Sequence, residues 1–289
     1  MPCSTISSYL TVACVCLSSV LTVPTARAQA AQKGVEFAPH RAVYDITLKY
    51  AAGGSSIADI TGRMVYELVG SRCDGYTQNM RYATRMTTNR GKVQINDLVT
   101  STWEDGKGDR LRFNTTQFRD SRLVKATQGD AERSIKTAGI EVKLIKPSTR
   151  KIALKQGTYF PIQHATELIR SARAGRARFE AKLYDGSDEG VKVYDTNSVI
   201  GRIYKPGEKP IVGDPKQVAP LQKLASWPVS IGYFEPDSGK TDAVPAYELS
   251  FRYFDNGVTT KLLIDYGNYA ISGNLAELTF LERGECAAK

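Results

Sequence analysis

Apolar and polar residues alternate along most of this chain. Ala42, Tyr44, Ile46, Leu48 and Tyr50 fall on one face of the first such run, with Arg41, Asp45, Thr47 and Lys49 on the other. That is the pattern of a strand with one buried side. Gly53-Gly54-Ser55-Ser56 predicts a turn, Gly62, Met64, Tyr66 and Leu68 mark a second strand, and Gly70 to Gly75 turn the chain again. A third strand runs from Tyr76 through Tyr82 and Met86 to a break at Asn89-Arg90-Gly91. Val93 to Trp103 and Arg110 to Phe118 follow, separated by Asp105-Gly106-Lys107-Gly108. Shorter segments reach Lys146, with turns predicted at Gln128-Gly129-Asp130 and Thr137-Ala138-Gly139. Regular strands with no intervening helices predict an all-β, many-stranded antiparallel meander, not a parallel α/β sheet.

One segment changes period. Ile162, Ala165, Leu168, Ile169 and Ala172 form an apolar stripe at helical spacing, with Pro161 suited to the first turn and Gly175 to the residue beyond the end. Arg170 and Arg173 lie in the last turn, where the helix dipole favours cations. This is the one main helix expected. Strands return at 178–184 and 192–204, and the proline-bearing stretch 205–226 reads as a surface loop with at most a helical turn near Leu221–Leu224. The chain then closes with AYELSFRYF-DNG-VTTKLLIDY. Asn256-Gly257 predicts a two-residue type I′ turn, which pairs Tyr247 with Tyr266, Leu249 with Ile264, Phe251 with Leu262 and Tyr253 with Thr260. Glu248, Ser250, Arg252, Asp265, Leu263 and Lys261 then form a mostly polar second face.

The uncharged, mostly apolar run Tyr9–Val23, followed by Pro24 and Ala26-Arg27-Ala28, reads as an export signal cleaved before Gln29. The expected organisation is therefore a signal peptide over 1–28, a lead-in over 29–39 and one β-domain over 40–289. Cleavage removes Cys3, Cys14 and Cys16 and leaves Cys73 and Cys286 in an oxidising compartment. A single disulfide is the favoured reading, two free buried thiols the alternative. For a loop of roughly 200 residues its entropic contribution has an upper limit of about 5 kcal/mol.

Removing Arg27 from the 39 basic residues leaves 38 against 30 acidic ones, an excess of eight. Between Val142 and Arg178, Glu167 is the only acid among Lys143, Lys146, Arg150, Lys151, Lys155, Arg170, Arg173, Arg176 and Arg178, so this window holds the whole excess. It reads either as a solvated face or as a surface for an anionic partner, such as lipid head groups or an acidic protein. Export argues against nucleic acid.

Catalytic chemistry finds little to stand on. His40 and His164 are the only histidines and have no metal-ligand spacing. There is no nucleophile elbow, and a disulfide would consume both thiols of the exported chain. The turn Asp185–Gly190 begins like a calcium loop, yet Thr196 stands where that loop needs Glu. No catalytic residue, metal or cofactor is predicted, although a carboxylate pair distant in sequence stays open. The fifteen tyrosines fall largely on apolar strand faces, as core or as the lining of a groove.

HRAVYDI at 40–46, GRMVYEL at 62–68, Cys73-Asp74-Gly75-Tyr76, STWEDGKG at 101–108 and FPIQHATELIRSARAG at 160–175 resemble the proteobacterial cell envelope integrity family EipB. YDGSDEG at 184–190, WPVSIGYF at 227–234, FDNGV at 254–258 and Cys286 extend the resemblance across nearly all of the exported chain. It implies a periplasmic β-spiral, an incompletely closed barrel like lipoprotein-carrier folds, with a disulfide matching Cys73 and Cys286. It also implies envelope maintenance by binding other components, a periplasmic tetratricopeptide-repeat protein among them, without established enzymatic activity. The expected function is a non-enzymatic periplasmic binding protein supporting envelope integrity. The alternatives are a lipid or lipoprotein carrier holding an acyl chain and, third, a carboxylate-pair hydrolase.

Overall fold

In the computed structural model the described residues are 34–134, 138–211, 215–236, 243–284 and 286. The expected signal peptide lies outside them. Eight strands lead off: β1 (His40–Ala51), β2 (Ile57–Ser71), β3 (Gly75–Thr88), β4 (Val93–Glu104), β5 (Arg110–Arg119), β6 (Arg122–Ser134), β7 (Gly139–Lys146) and β8 (Arg150–Leu154). The two-residue β9 (Thr158–Tyr159) leads into helix α1 (Pro161–Arg173). Then come β10 (Arg178–Leu183), β11 (Tyr194–Ile200), α2 (Pro215–Gln222), β12 (Ser226–Phe234), β13 (Tyr247–Phe254), β14 (Thr259–Asp265) and β15 (Tyr269–Phe280). All fifteen strands join one sheet, ordered β8 through β1, then β15 back through β9. Neighbours in sequence are thus neighbours in the sheet, β1 also pairs with β15, and the single break falls between β8 and β9. The result is a nearly closed antiparallel barrel with one seam, apart from the parallel β9–β10 pair across α1.

The terminal hairpin shows how register is set. Glu248, Leu249 and Ser250 pair with Asp265, Ile264 and Leu263 as the alternation predicts. Nearer the turn the pairing slips by one, and Tyr253 meets Thr259. The turn is not the expected type I′: only Gly257 takes a positive φ (+87°), and Gly257 N–H donates to the Phe254 carbonyl at 2.9 Å. Phe254 N–H donates to the Val258 carbonyl at 2.9 Å, so the loop has three residues, 255–257. A bulge at Lys261 (φ +58°) absorbs the extra residue and restores the outer register. A Cβ at Gly257 would lie 2.3 Å from the Phe37 ring, so the lead-in is packed beneath this turn.

Two other expectations are corrected. Gln128-Gly129-Asp130 is not a turn but the middle of β6. A Cβ at Gly129 would sit 2.7 Å from the Phe113 ring and 2.8 Å from the Lys143 carbonyl, so this glycine permits close approach rather than reversal. The reversal occurs at Asp120-Ser121, both in the left-handed region (φ 51° and 64°). Within the supposed loop 205–226, α2 buries Val218 and Leu221 against the main core.

The barrel is filled by two apolar cores. The larger joins β1–β3 and β10–β15 with Ile162, Leu168, Ile169 and Ala172 of α1; the smaller joins β5–β8 with Phe160 and Tyr184. Helix α1 is seated by Glu104 at the end of β4. Its Oε2 accepts the Ile162 N–H at 2.7 Å and its Oε1 accepts the Gln163 N–H at 2.9 Å, so a carboxyl 58 residues away in sequence caps the helix. On the helix, buried His164 places Nε2 3.1 Å from Thr196 Oγ1, whose hydroxyl donates to the Ala181 carbonyl. His164 therefore donates from Nε2 in a neutral tautomer.

Beyond β15, Cys286 is bonded to Cys73 in the β2–β3 turn, Cα atoms 5.6 Å apart across 213 residues of sequence. Replacing Cys286 by Ser is expected to lower the free energy of unfolding by about 2–5 kcal/mol, read from urea denaturation. An unchanged midpoint contradicts that role.

Burial pushes the Glu104 carboxyl up from 4.5 to about 8, with the two backbone N–H groups opposing it. Its stabilising contribution is full below pH 4.5 and is lost as pH rises through about 8, because the native state keeps a proton the unfolded chain has released. Burial lowers His164 from 6.5 to about 4, so its contribution is present above pH 6.5 and lost as pH falls toward 4. Glu104→Gln should remove the Glu104 share of the fall in stability between pH 4.5 and about 8 and leave the loss toward pH 4 that His164 causes. A profile of unchanged shape in pH-dependent denaturation would refute this assignment.

Candidate functional site

The nine cations of the 142–178 window do not form one unopposed group. Lys143 and Lys151 are cross-strand neighbours on β7 and β8, and their ammonium groups lie 3.6 and 3.5 Å from Glu141, one residue outside the window. Arg170 pairs with Glu167, and Arg173 holds Asp255 at the β13–β14 turn at 2.7 Å. Lys146, Arg150, Lys155, Arg176 and Arg178 are exposed. Arg150, Lys151 and Lys155 lie on or just past β8, the five-residue strand at the seam. Cations on a short free edge discourage pairing with another chain, which accounts for part of this charge without a ligand.

The outer surface of β11–β14 is built differently. A groove of about 450 Å³ runs there, lined by Val199, Pro228, Ser230, Ser250 and Leu263, with Tyr204, Lys209, Arg252 and Lys261 around it. Strand alternation explains the lining. Val199 pairs with Ser230, Ser230 with Ser250 and Ser250 with Leu263, so the four stand in one outward row. Small serines between Val199 and Leu263 leave the depression. Arg252, two residues on from Ser250 on the same face, is only 6% exposed because residues 201–211 fold over it.

Arg252 organises that cover. Its Nε donates to Ser226 Oγ at 2.9 Å, and its Nη1 to the carbonyls of Lys209 and Pro210 at 3.1 and 3.2 Å. The guanidinium carbon lies 4.8 Å from the Phe254 ring centroid and 5.4 Å from that of Tyr204. Burial depresses its pKa, yet its bonds to described residues run to neutral oxygens. A buried guanidinium at the edge of an apolar groove, with no carboxylate bonded to it among the described residues, is the polar anchor of this surface. Sequence reasoning missed it because Arg252 occupies a polar position of an alternating strand. Leu263, the one apolar residue on that same face, was the available signal.

The interior between the two cores is a third environment. Tyr66 and Met64 of β2 continue through their register partners Met80 and Tyr82 to Thr100 and Leu98 on β4. These inward side chains are half-buried, and Gln78 donates to the Tyr66 hydroxyl at 2.9 Å. Across the barrel, Tyr233 and Tyr247 stack with centroids 4.4 Å apart, and Tyr194 donates to Asp188 at 2.6 Å. The tyrosines therefore serve both readings, as core and as the wall of a partly open interior.

A polar cleft of about 590 Å³ opens beside the disulfide, and three of the four acids that line it are engaged locally. Asp105 accepts the N–H groups of Asp109 and Arg110, Glu132 binds Arg110 at 2.7 Å, and Asp74 accepts from Ser71 at 2.9 Å. Among the described residues no group of three or more His, Cys, Asp or Glu side chains could hold a metal ion.

The fold and these surfaces define a disulfide-closed, incompletely closed antiparallel barrel with a filled interior end and a built exterior groove. The model of the EipB-like family matches residues 31–282. A curated relative, the cell envelope integrity protein EipB of Brucella abortus (strain 2308), is 38% identical over 261 residues, covering 90% of each chain. A crystal structure of a β-barrel-like protein of domain of unknown function DUF1849 from Brucella abortus superposes with a TM-score of 0.79 at 37% identity, covering 86% of this chain and 100% of that one. The chain belongs to the EipB-like family of cell envelope integrity proteins.

Arg252→Ala is expected to destabilise the fold by about 1–3 kcal/mol, since the carbonyls it satisfies lose a charged donor. Hydrogen exchange should accelerate selectively in 201–211; uniform protection there would show that Arg252 does not hold the cover.

Proposed function

We propose that this chain is a non-enzymatic periplasmic protein that supports cell envelope integrity by binding a protein partner in the β11–β14 groove. The observation that carries the reading is the groove itself, an apolar floor beside a buried guanidinium that has no carboxylate partner among the described residues. The complement is an apolar segment bearing an acidic side chain, its carboxylate directed to Arg252 and Lys261 and its apolar groups to Val199 and Leu263. A tetratricopeptide-repeat protein, the partner implied by the family resemblance, is the first candidate. Export through the apolar N-terminal run and a disulfide closing most of the fold fit an oxidising periplasm.

The non-enzymatic part of the reading is supported by what the buried titratable groups do. Glu104 caps α1, His164 binds Thr196, and His40 donates from Nδ1 to the Ala38 carbonyl at 2.7 Å. Each is engaged in holding the fold. A second reading, a carrier of an acyl chain, is favoured by one observation, the half-buried inner row of Met80, Tyr82 and Leu98.

The groove is tested by affinity capture from envelope extracts with the unaltered chain and with Lys261→Glu/Leu263→Asp. Both positions lie outside the core. The double variant should lose about tenfold or more in affinity for the captured partner. Equal capture by both chains contradicts the groove as the binding surface.

A further inference from the structure

The end of the barrel away from α1 and the disulfide carries an unusual rim. On the β3–β4 and β5–β6 hairpins Val93 is 39%, Ile95 42%, Leu123 58% and Val124 47% exposed. The two hairpins are stitched together at their tips. Asp120 N–H donates to the Ile95 carbonyl at 2.9 Å, and the Ile95 N–H donates to Asp120 Oδ1 at 2.8 Å. Leu123 pairs with Phe118, which pairs with Asp97, so Leu123 shares the outward face of Ile95. Aliphatic side chains thus stand exposed to water at this edge.

Cations ring them. Arg85 lies directly across from Ile95, Arg90 and Lys92 are in the β3–β4 turn, and Arg119 and Arg122 flank the β5–β6 turn. None of these five makes an ion pair among the described residues. Of the nearby acids, Asp97 holds Arg81 at 2.8 Å and Asp120 is bound to the Ile95 backbone, while Asp59 stands exposed across from Thr87, so cations remain in excess. The β7–β8 turn points the same way but ends level with Gln128, well short of the β5–β6 tip, and carries Ile145, 48% exposed, beside Lys146 and Arg150.

We propose that this rim docks on an anionic phospholipid surface, the aliphatic tips entering the head-group layer and the guanidinium groups binding lipid phosphates. Exposed aliphatics inside a ring of unpaired cations match that boundary, apolar at depth and anionic at the surface. Arginine is suited to it by bidentate phosphate contact. The exposed residues of the rim are aliphatic and predominantly cationic, and Phe118 opposite Leu123 is half-buried, so the surface offers little of the exposed aromatic area on which protein interfaces centre. The site is separate from the groove of β11–β14, and either can fail without the other.

The test is co-flotation of the exported chain with vesicles of phosphatidylglycerol in phosphatidylcholine, and of phosphatidylcholine alone. Binding should require phosphatidylglycerol and weaken with salt. Arg119→Glu/Arg122→Glu should lower partitioning by roughly 25-fold or more, at about fivefold for each cation removed, and Leu123→Asp should lower it as well. Leu123→Trp, a substitution at an exposed site, should shift its fluorescence to the blue on anionic vesicles and be quenched by brominated acyl chains. Absence of flotation, equal flotation with neutral vesicles, or undiminished binding by the arginine variant overturns the proposal. So does a Leu123→Trp emission that stays unchanged while the protein floats, because that leaves adhesion by charge alone.

Discussion

The constraint on which the structure depends is the pairing of its first strand with its last. β1 is hydrogen-bonded along its length to β15, from His40 opposite Phe280 to Ala51 opposite Tyr269. Without that ladder the one sheet would fall into two, β1–β8 and β9–β15, each with exposed edges vulnerable to pairing with other chains. With it, the strands before and after the seam curl toward each other, and the gap is confined to β8 and β9, separated in sequence only by residues 155–157. The disulfide reinforces the same closure just outside the ladder, linking the β2–β3 turn to the segment after β15. Loop closure across the whole domain is entropically unfavourable, and a covalent link at its ends reduces that penalty in the unfolded chain.

Filling the barrel then becomes a problem of ends. One end is stoppered by Phe37 beneath Gly257 and by α1, whose N-terminus meets Glu104 and whose C-terminal Arg173 meets Asp255. The titratable groups buried there are structural fittings. The other end is a set of hairpin turns with less apolar cover, and its charge is available to solvent. This asymmetry separates a load of packing from a load of surface chemistry, and it places both proposed contacts on the outside of the sheet.

Much of this was legible in the alternation of residues. The strands before β6, the helix with Pro161 and Gly175 at its limits, and the cysteine pair followed from period, turn chemistry and redox compartment. The errors have local causes. Gly129 reads as a turn residue because a sequence does not distinguish a glycine that bends from one that makes room for Phe113. Asn256-Gly257 reads as a two-residue turn, while the bulge at Lys261 that permits a longer loop has no sequence mark. The groove was hidden because Arg252 is buried by residues 201–211, a segment without periodicity whose position is decided by tertiary contacts. The basic window was visible as charge, but its partial neutralisation by Glu141 and Asp255 depends on strand pairing and on the helix meeting a distant turn.

In the function proposed above, this family member works through its exterior surfaces and not by carrying a lipid inside the barrel. Native mass spectrometry of the protein released gently from the periplasm bears on it most directly. The expected result is the mass of the disulfide-bonded chain without a stoichiometric lipid, alone or with its protein partner. A lipid retained at one copy per chain, with its acyl group cross-linking to Tyr82 or Leu98, would contradict it.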